Sequence, residues 1–428
     1  MRWSLLLALA ACSPDVRVGG GYELVADTPT LPITAIDILF VVDDSSSMRQ
    51  EQLVVADRFQ AFIDDLEERT DVPLDLHIGV VSTNLGAGET SDPKCEGDGD
   101  GARLLGPPDG ATCAGPDGAY IVHGETINYP EGQLADTFGC IALRGSGGCG
   151  FEQPLESMRR ALDGSVPENG GFLRDDALLM VVFAIDEDDC SVFDTSLFDA
   201  TQDSADSELG YLSSFRCFDF GVTCAEPDPR VAGPRTDCVP RDDSPYMTVV
   251  SDYADFLVDL KGGPGLVVLG GLFGQPGPVE VIWEEELEAF NLADLCEDDL
   301  YVIPAVRLHG LLDAMPRSTF TPLCDGAAYE YMSALSIDAA LAVSAPECLM
   351  RDPLDTDDDD GVQATCRAFH VAGGARSELP RCDDSDEPCY AILADDRCTA
   401  TDEHLAVQLH GVEPGAGERV QVECLALQ

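Results

Sequence analysis

Apolar residues fill nearly every position of residues 36–42 and 178–185, and they dominate 74–82. Strands written this way are covered on both faces, as in a parallel sheet between helices; a strand with one wet face would alternate. Between the runs the period becomes helical. Val55, Phe59, Phe62 and Leu66 share one face of residues 49–68, with Arg49, Glu51, Asp57, Asp64 and Glu67 on the others. Leu155, Met158 and Leu162 recur likewise in 151–162, where Pro154 suits a first helical turn. Further helices are predicted at 246–260, 307–315 and 328–343, further strands at 265–270 and 320–323, and a short strand at 119–122. The alternation predicts an α/β fold with a doubly wound, mostly parallel sheet over residues 33–345.

Two loop-rich stretches interrupt this pattern, at about 84–150 and 190–244, and both emerge where strands end. After Pro346 the pattern shortens to alternating runs at 404–409 and 419–424, which predicts a small disulfide-rich β module over 346–428. The acidic run Asp355 to Asp360 lacks the spacing of a calcium loop and reads as solvated. Residues 12–32, with Pro14, Gly19 to Gly21, Pro29 and Pro32, read as a tether.

Cysteine usage points to export. Setting Cys12 aside, 16 of the 17 cysteines remain, an even number that falls into blocks able to close on themselves. Cys140 with Cys149, and Cys382 with Cys389, are spaced for short bridges. No Cys-x-x-Cys pair occurs and the six histidines are scattered, which argues against zinc. Arg2 followed by apolar residues 5–11 has the make-up of a secretory signal, too short to span a bilayer. Leu9-Ala10-Ala11-Cys12 resembles a bacterial lipobox, which implies cleavage after residue 11, a lipid on Cys12 and, with Ser13 following, an outer-membrane location. With 80 acidic and 24 basic residues the net charge is −56, and Lys94 and Lys261 are the only lysines. Nucleic acid is therefore not an expected partner, and membrane contact is expected only through the lipid.

The chemistry is concentrated where the first buried run ends. Residues 36–42 lead into Asp43-x-Ser45-x-Ser47, one carboxylate and two hydroxyls at alternating positions at the carboxyl end of a strand. Hard oxygen ligands in that pattern suit a divalent cation, Mg2+ or Ca2+, and ligands bind open α/β sheets at that end. The same serines can also cap the helix that follows. A second buried run ends at Asp186, followed by Glu187, Asp188 and Asp189. Together, the two strands, the Asp-x-Ser-x-Ser spacing and the later aspartate resemble the metal-ion-dependent adhesion site of von Willebrand factor type A domains. That resemblance implies a cation held by Asp43, Ser45, Ser47 and Asp186, with a protein partner's carboxylate as a further ligand. It also implies a threonine before the helix at 154–162, which this chain lacks; Ser146 and Glu152 are the nearest oxygen-bearing residues, and Asp188 is a further candidate. A glutamate in that place would favour calcium.

The expectation is a cell-envelope lipoprotein that mediates metal-dependent adhesion and is not an enzyme. A metal-dependent hydrolase and a structural protein with a decayed metal site are the alternatives. The hydrolase is disfavoured because neither His-Glu-x-x-His nor Gly-x-Ser-x-Gly occurs.

Overall fold

The structure is a computed structural model that describes residues 21–425 apart from 71, 89–93, 297–300, 325–327, 355–364, 383–387, 414 and 416. The signal, the lipobox with Cys12 and the acidic run from Asp355 lie outside the described residues. In chain order the first strands are β1 (Tyr22–Pro29), β2 (Ala35–Val42), β3 (Asp75–Ser82), β4 (Ile121–His123) and β5 (Leu178–Ala184). The short β6 (Val222–Thr223), β7 (Gly233–Arg235) and β8 (Val239–Pro240) precede β9 (Val267–Phe273), β10 (Val279–Glu284), β11 (Ala289–Leu292) and β12 (Ser318–Pro322). The last strands are β13 (Cys366–Ala372), β14 (Ala375–Leu379), β15 (Cys389–Ala394), β16 (Leu405–His410) and β17 (Arg419–Leu425). The helices are α1 (Arg49–Arg69), α2 (Leu134–Ala142), α3 (Pro154–Leu162), α4 (Phe215–Gly221), α5 (Val250–Lys261), α6 (Val306–Ala314) and α7 (Ala328–Ser344).

The six-stranded main sheet has the order β12-β9-β5-β2-β3-β4 and is parallel except for the antiparallel edge strand β4. β2 and β5 lie side by side at its centre and every residue of β5 is buried, which is why both read as continuous apolar runs. Their side chains alternate between two cores. Ile36, Ile38, Phe40 and Val42 pack with α1, α2 and α7, whereas Leu39 and Val41 pack with α3, α5 and α6. The mixed α/β architecture expected from the pattern is present, with three small antiparallel sheets and a hairpin pair beside the main one.

Two expectations need correction. The tether does not extend to residue 32: β1 pairs with β17, so residues 22–29 complete a four-stranded antiparallel sheet, β1-β17-β13-β14, with the carboxyl-terminal module. Val25 and Ala26 on β1 are fully buried against Val420 and Val422, and that burial outweighs the prolines and glycines around them. Nor does Cys140 pair with Cys149. Cys113 bridges to Cys140 and Cys95 to Cys149, because α2 runs along α1 while residues 145–149 turn back over Asp44, where the Gly148 N–H donates to the Asp44 carbonyl at 2.8 Å. Six further bridges join Cys190–Cys217, Cys224–Cys238, Cys296–Cys324, Cys348–Cys398, Cys366–Cys424 and Cys382–Cys389. The two insertions share a small core above the sheet, in which Cys95, Cys149, Phe151, Cys190, Phe198 and Cys217 pack together.

Candidate metal centre

Asp43 follows directly on β2, and Asp186 comes two residues after the end of the adjacent central strand β5. The Asp43 N–H donates to the Ala184 carbonyl at 3.0 Å, which holds the two loops together as they leave the sheet. Both side chains are buried, at 0% and 1% exposure. Asp43 Oδ1 accepts the Ser45 N–H at 2.6 Å, a turn that brings the hydroxyls of Ser45 and Ser47 to 3.1 Å from one another. Neither serine caps the following helix: the cap position of α1 is Met48, and no side-chain hydrogen bond closes it. The serine-rich turn is therefore free for another role, and the helix-capping reading falls away.

The loop is pinned from both sides. Gln52 Nε2 donates to the Asp43 carbonyl at 2.7 Å and to the Gly145 carbonyl at 3.0 Å, and Gln52 Oε1 accepts the Gly145 N–H. A Cβ at Gly148 would stand 2.1 Å from Asp44 Oδ1, so this approach requires glycine. Glu152 sits on the loop before α3, with its carbonyl bound by the Cys190 N–H at 2.7 Å and the neighbouring Gln153 N–H bound to the Thr83 carbonyl at 2.9 Å. Its side chain is 1% exposed.

Several buried oxygens without partners gather in this region. Asp43 Oδ2, Asp44 Oδ1, Thr83 Oγ1, Asp186 Oδ1 and both carboxylate oxygens of Glu152 accept or donate no hydrogen bond. Burial pushes the carboxyls of Asp43 and Glu152 well up from the ordinary range, with Asp186 adding to the repulsion on Asp43 and Glu187 to that on Glu152. Burial pushes Asp186 and Glu187 up to about 7, and Asp44 likewise, assisted by the charge of Asp43. Buried carboxylates that repel one another and lack donors fit a cation with oxygen ligands. Among the described residues no three His, Cys, Asp or Glu side chains converge as a metal-holding group, so any such site must combine paired carboxylates with hydroxyls.

Not every candidate from the sequence belongs here. Ser146 is exposed on its loop, where its carbonyl accepts from Lys94 Nζ at 3.5 Å. Asp188 turns away: its carboxylate accepts the N–H groups of Asp189, Arg307 and Leu308, closing the amino end of α6 and correcting its reading as a ligand. Asp189 is paired with the fully buried Arg307 at 3.0 Å. Sequence reading missed Glu187, Thr83 and Asp44. Glu187 stands in the acidic run after Asp186, and a strand that ends in a binding loop is the one signal that would have selected it.

No family model matches the sequence, and no curated protein matches it. Among solved structures the chain is similar to the pilus adhesin SpaC from Lactobacillus rhamnosus GG in its open conformation, with 14% identity and a TM-score of 0.34 over 94% of this chain and 39% of that one. It is also similar to a von Willebrand factor type A protein from Catenulispora acidiphila, with 11% identity and a TM-score of 0.30 over 96% and 67% of the two chains. The pilus adhesin RrgA from Streptococcus pneumoniae matches at 8% identity and a TM-score of 0.31 over 95% and 57%. The chain spans 39% of the length of the SpaC adhesin, and likenesses at TM-scores from 0.30 to 0.34 are too coarse to assign it to a family.

Proposed function

We propose that this chain is an exported, lipid-anchored surface protein whose main domain binds a divalent cation through Asp43, Ser45, Ser47 and Asp186, with Glu152 beside them, and thereby grips a carboxylate of a protein partner. The observation that carries this reading is the set of buried, unpartnered oxygens on Asp43, Asp186 and Glu152 at the carboxyl ends of the central strands. A bound ion supplies positive charge and an open coordination position. The protein supplies the rest: Gln52 and the bond from Asp43 N–H to Ala184 fix the loops, and the disulfide-stapled insertions wall the site and present surface to a partner. The carboxylate-rich surroundings favour calcium over magnesium. The role we propose is binding rather than catalysis, because the sequence carries neither His-Glu-x-x-His nor Gly-x-Ser-x-Gly.

Export and anchoring rest on the sequence of residues 1–13 together with eight disulfides in the folded chain. No helix among the described residues is long and apolar enough to cross a membrane. Retention of a partner from envelope or extracellular material should require the cation, be abolished by chelator and be lost in Asp43→Asn. Equal retention with and without chelator would refute the reading. Mass analysis of the mature amino terminus tests the anchor, which predicts a lipid-modified Cys12.

A further inference from the structure

At the amino-terminal pole of the main sheet, residues 316–318 lead into β12 and border a cleft of about 250 Å³ against the carboxyl-terminal module. Arg317 and Asp338 line it from one side, and Leu349, Met350 and Thr399 from the other. Thr399 and Ala400 beside it are exposed, so the cleft is open to solvent. Arg317 is the arginine that this pole leaves over. Its Nε and Nη2 are buried and have no hydrogen-bond partner among the described residues. The buried arginines elsewhere differ: Arg307 holds Asp189 and Arg419 holds Asp27, each at 3.0 Å. Asp338, on α7, accepts the Thr319 hydroxyl with Oδ2, and its Oδ1 has no partner among the described residues. Arg317 and Asp338 act on one another as charges without a hydrogen bond between them. The cleft thus carries a cationic donor and an anionic acceptor that the chain leaves unjoined.

We infer that this cleft binds a free α-amino acid with a small apolar side chain, its carboxylate on the Arg317 guanidinium and its ammonium on the Asp338 carboxylate. The two open nitrogens of Arg317 carry the argument. Nε and Nη2 form one edge of the guanidinium fork, the edge that a carboxylate meets with both oxygens, and buried donors without an acceptor cost free energy. With no hydrogen bond to hold it, the guanidinium can turn that edge to the cleft it lines. A plain carboxylate would add a negative charge where Asp338, Asp27 and Glu347 already act on Arg317. A zwitterion adds none. Its ammonium answers Asp338 while its carboxylate answers Arg317, and Pro316, Leu349 and Met350 offer an apolar wall to its side chain. Size agrees, since a cavity of about 150 Å³ already holds benzene. Because both parts of the chain line the cleft, the bound amino acid clips the carboxyl-terminal module to the sheet and stabilises the fold by linkage. The site lies at the opposite pole from Asp43 and stands independently of the cation proposed there.

Equilibrium dialysis of labelled L-alanine and L-leucine against the full-length protein tests the site, with propionate and ethylamine as competitors that each carry one of the two charges. The expected result is one saturable amino-acid site per chain, from which either competitor displaces the label at least about tenfold less well than the unlabelled amino acid does. Arg317→Gln should weaken binding about a hundredfold, and Asp338→Asn, which keeps an acceptor for Thr319, about tenfold. Far-UV circular dichroism checks that each variant is folded. Propionate as effective as the amino acid, together with unchanged binding in Asp338→Asn, overturns the zwitterion in favour of a plain carboxylate. Binding indifferent to Arg317→Gln, or no saturable binding of either amino acid, overturns the site.

Discussion

The two poles of the main sheet both bury aspartates, and they treat them in opposite ways. At the amino-terminal pole Asp37, fully buried, receives the guanidinium of Arg174 at 2.7 Å and the Arg174 N–H at 2.7 Å. Nearby Asp27 meets Arg419 at 3.0 Å and the Gly265 N–H at 3.1 Å, and Lys261, also buried, donates to the Arg174 carbonyl at 2.7 Å. Burial raises both aspartates there, and an arginine opposes the rise in each case. At the carboxyl-terminal pole Asp43, Asp186 and Glu152 have no such cation, although the chain places Arg307 on Asp189 only three residues beyond Asp186. The fold assigns scarce basic side chains to the first group and brings none to Asp43, Asp186 or Glu152. Because buried charges cost several kcal/mol unless compensated, the carboxyls at this pole are held protonated until something neutralises them.

The contrast can be broken most directly at the amino-terminal pole. Arg174→Ala should leave Asp37 buried without its partner and cost about 3 kcal/mol in chemical denaturation, with or without cation. At the other pole Asp43→Asn should cost little in chelator, because it removes a charge that nothing in the chain balances; a loss as large as that of Arg174→Ala would erase the distinction. Next in size, calcium at about 100 times its dissociation constant should stabilise the parent by about 2.7 kcal/mol, seen as a rise in melting temperature. Asp43→Asn should lose most of that gain.

The pH response should differ in sign with and without the ion. Asp186 and Glu187, pushed up to about 7, stay protonated in the folded chain where the unfolded chain has already released its protons. Without cation their contribution is therefore fully present below about pH 4 and is lost as pH rises through about 7, on the order of 4 kcal/mol for Asp186 alone. Denaturation midpoints in chelator, compared between the parent and Asp186→Asn so that other groups cancel, should show this fall. With calcium the parent should instead gain stability over the same range, since protons compete with the ion. The smallest effect should come from Asp188→Asn, which weakens the cap on α6 by about 1 kcal/mol and leaves calcium binding unchanged.

The sheet was legible because β2 and β5 are buried on both faces and announce it as uninterrupted apolar runs. The helices facing it were equally visible, with α1, α3 and α6 beginning and ending within a few residues of their predicted positions. By contrast α2 and α4 are short helices within the insertions and β10 and β11 a short hairpin beyond them, so no long amphipathic period marks them. β1 was read as a tether because its partner, β17, lies almost four hundred residues away in sequence, and no local signal records a pairing at that distance.

At the candidate site the chain itself determines the oxygen-bearing residue types, their order and the strand ends that carry them: Asp43, Ser45, Ser47 and Asp186 are placed by local pattern alone. Tertiary structure decided the rest. Only the folded chain separates Asp188, spent on the α6 amino end, from Glu187 next to it, since two acidic neighbours in a loop differ only in what they face. Only burial among other carboxylates leaves Glu152 without a donor, and donor supply at a buried position depends on which distant segments meet there. The physical reason is the range of the interactions: periodicity and strand-end chemistry are encoded within a few residues, whereas desolvation and charge compensation are set by neighbours brought together by the whole sheet.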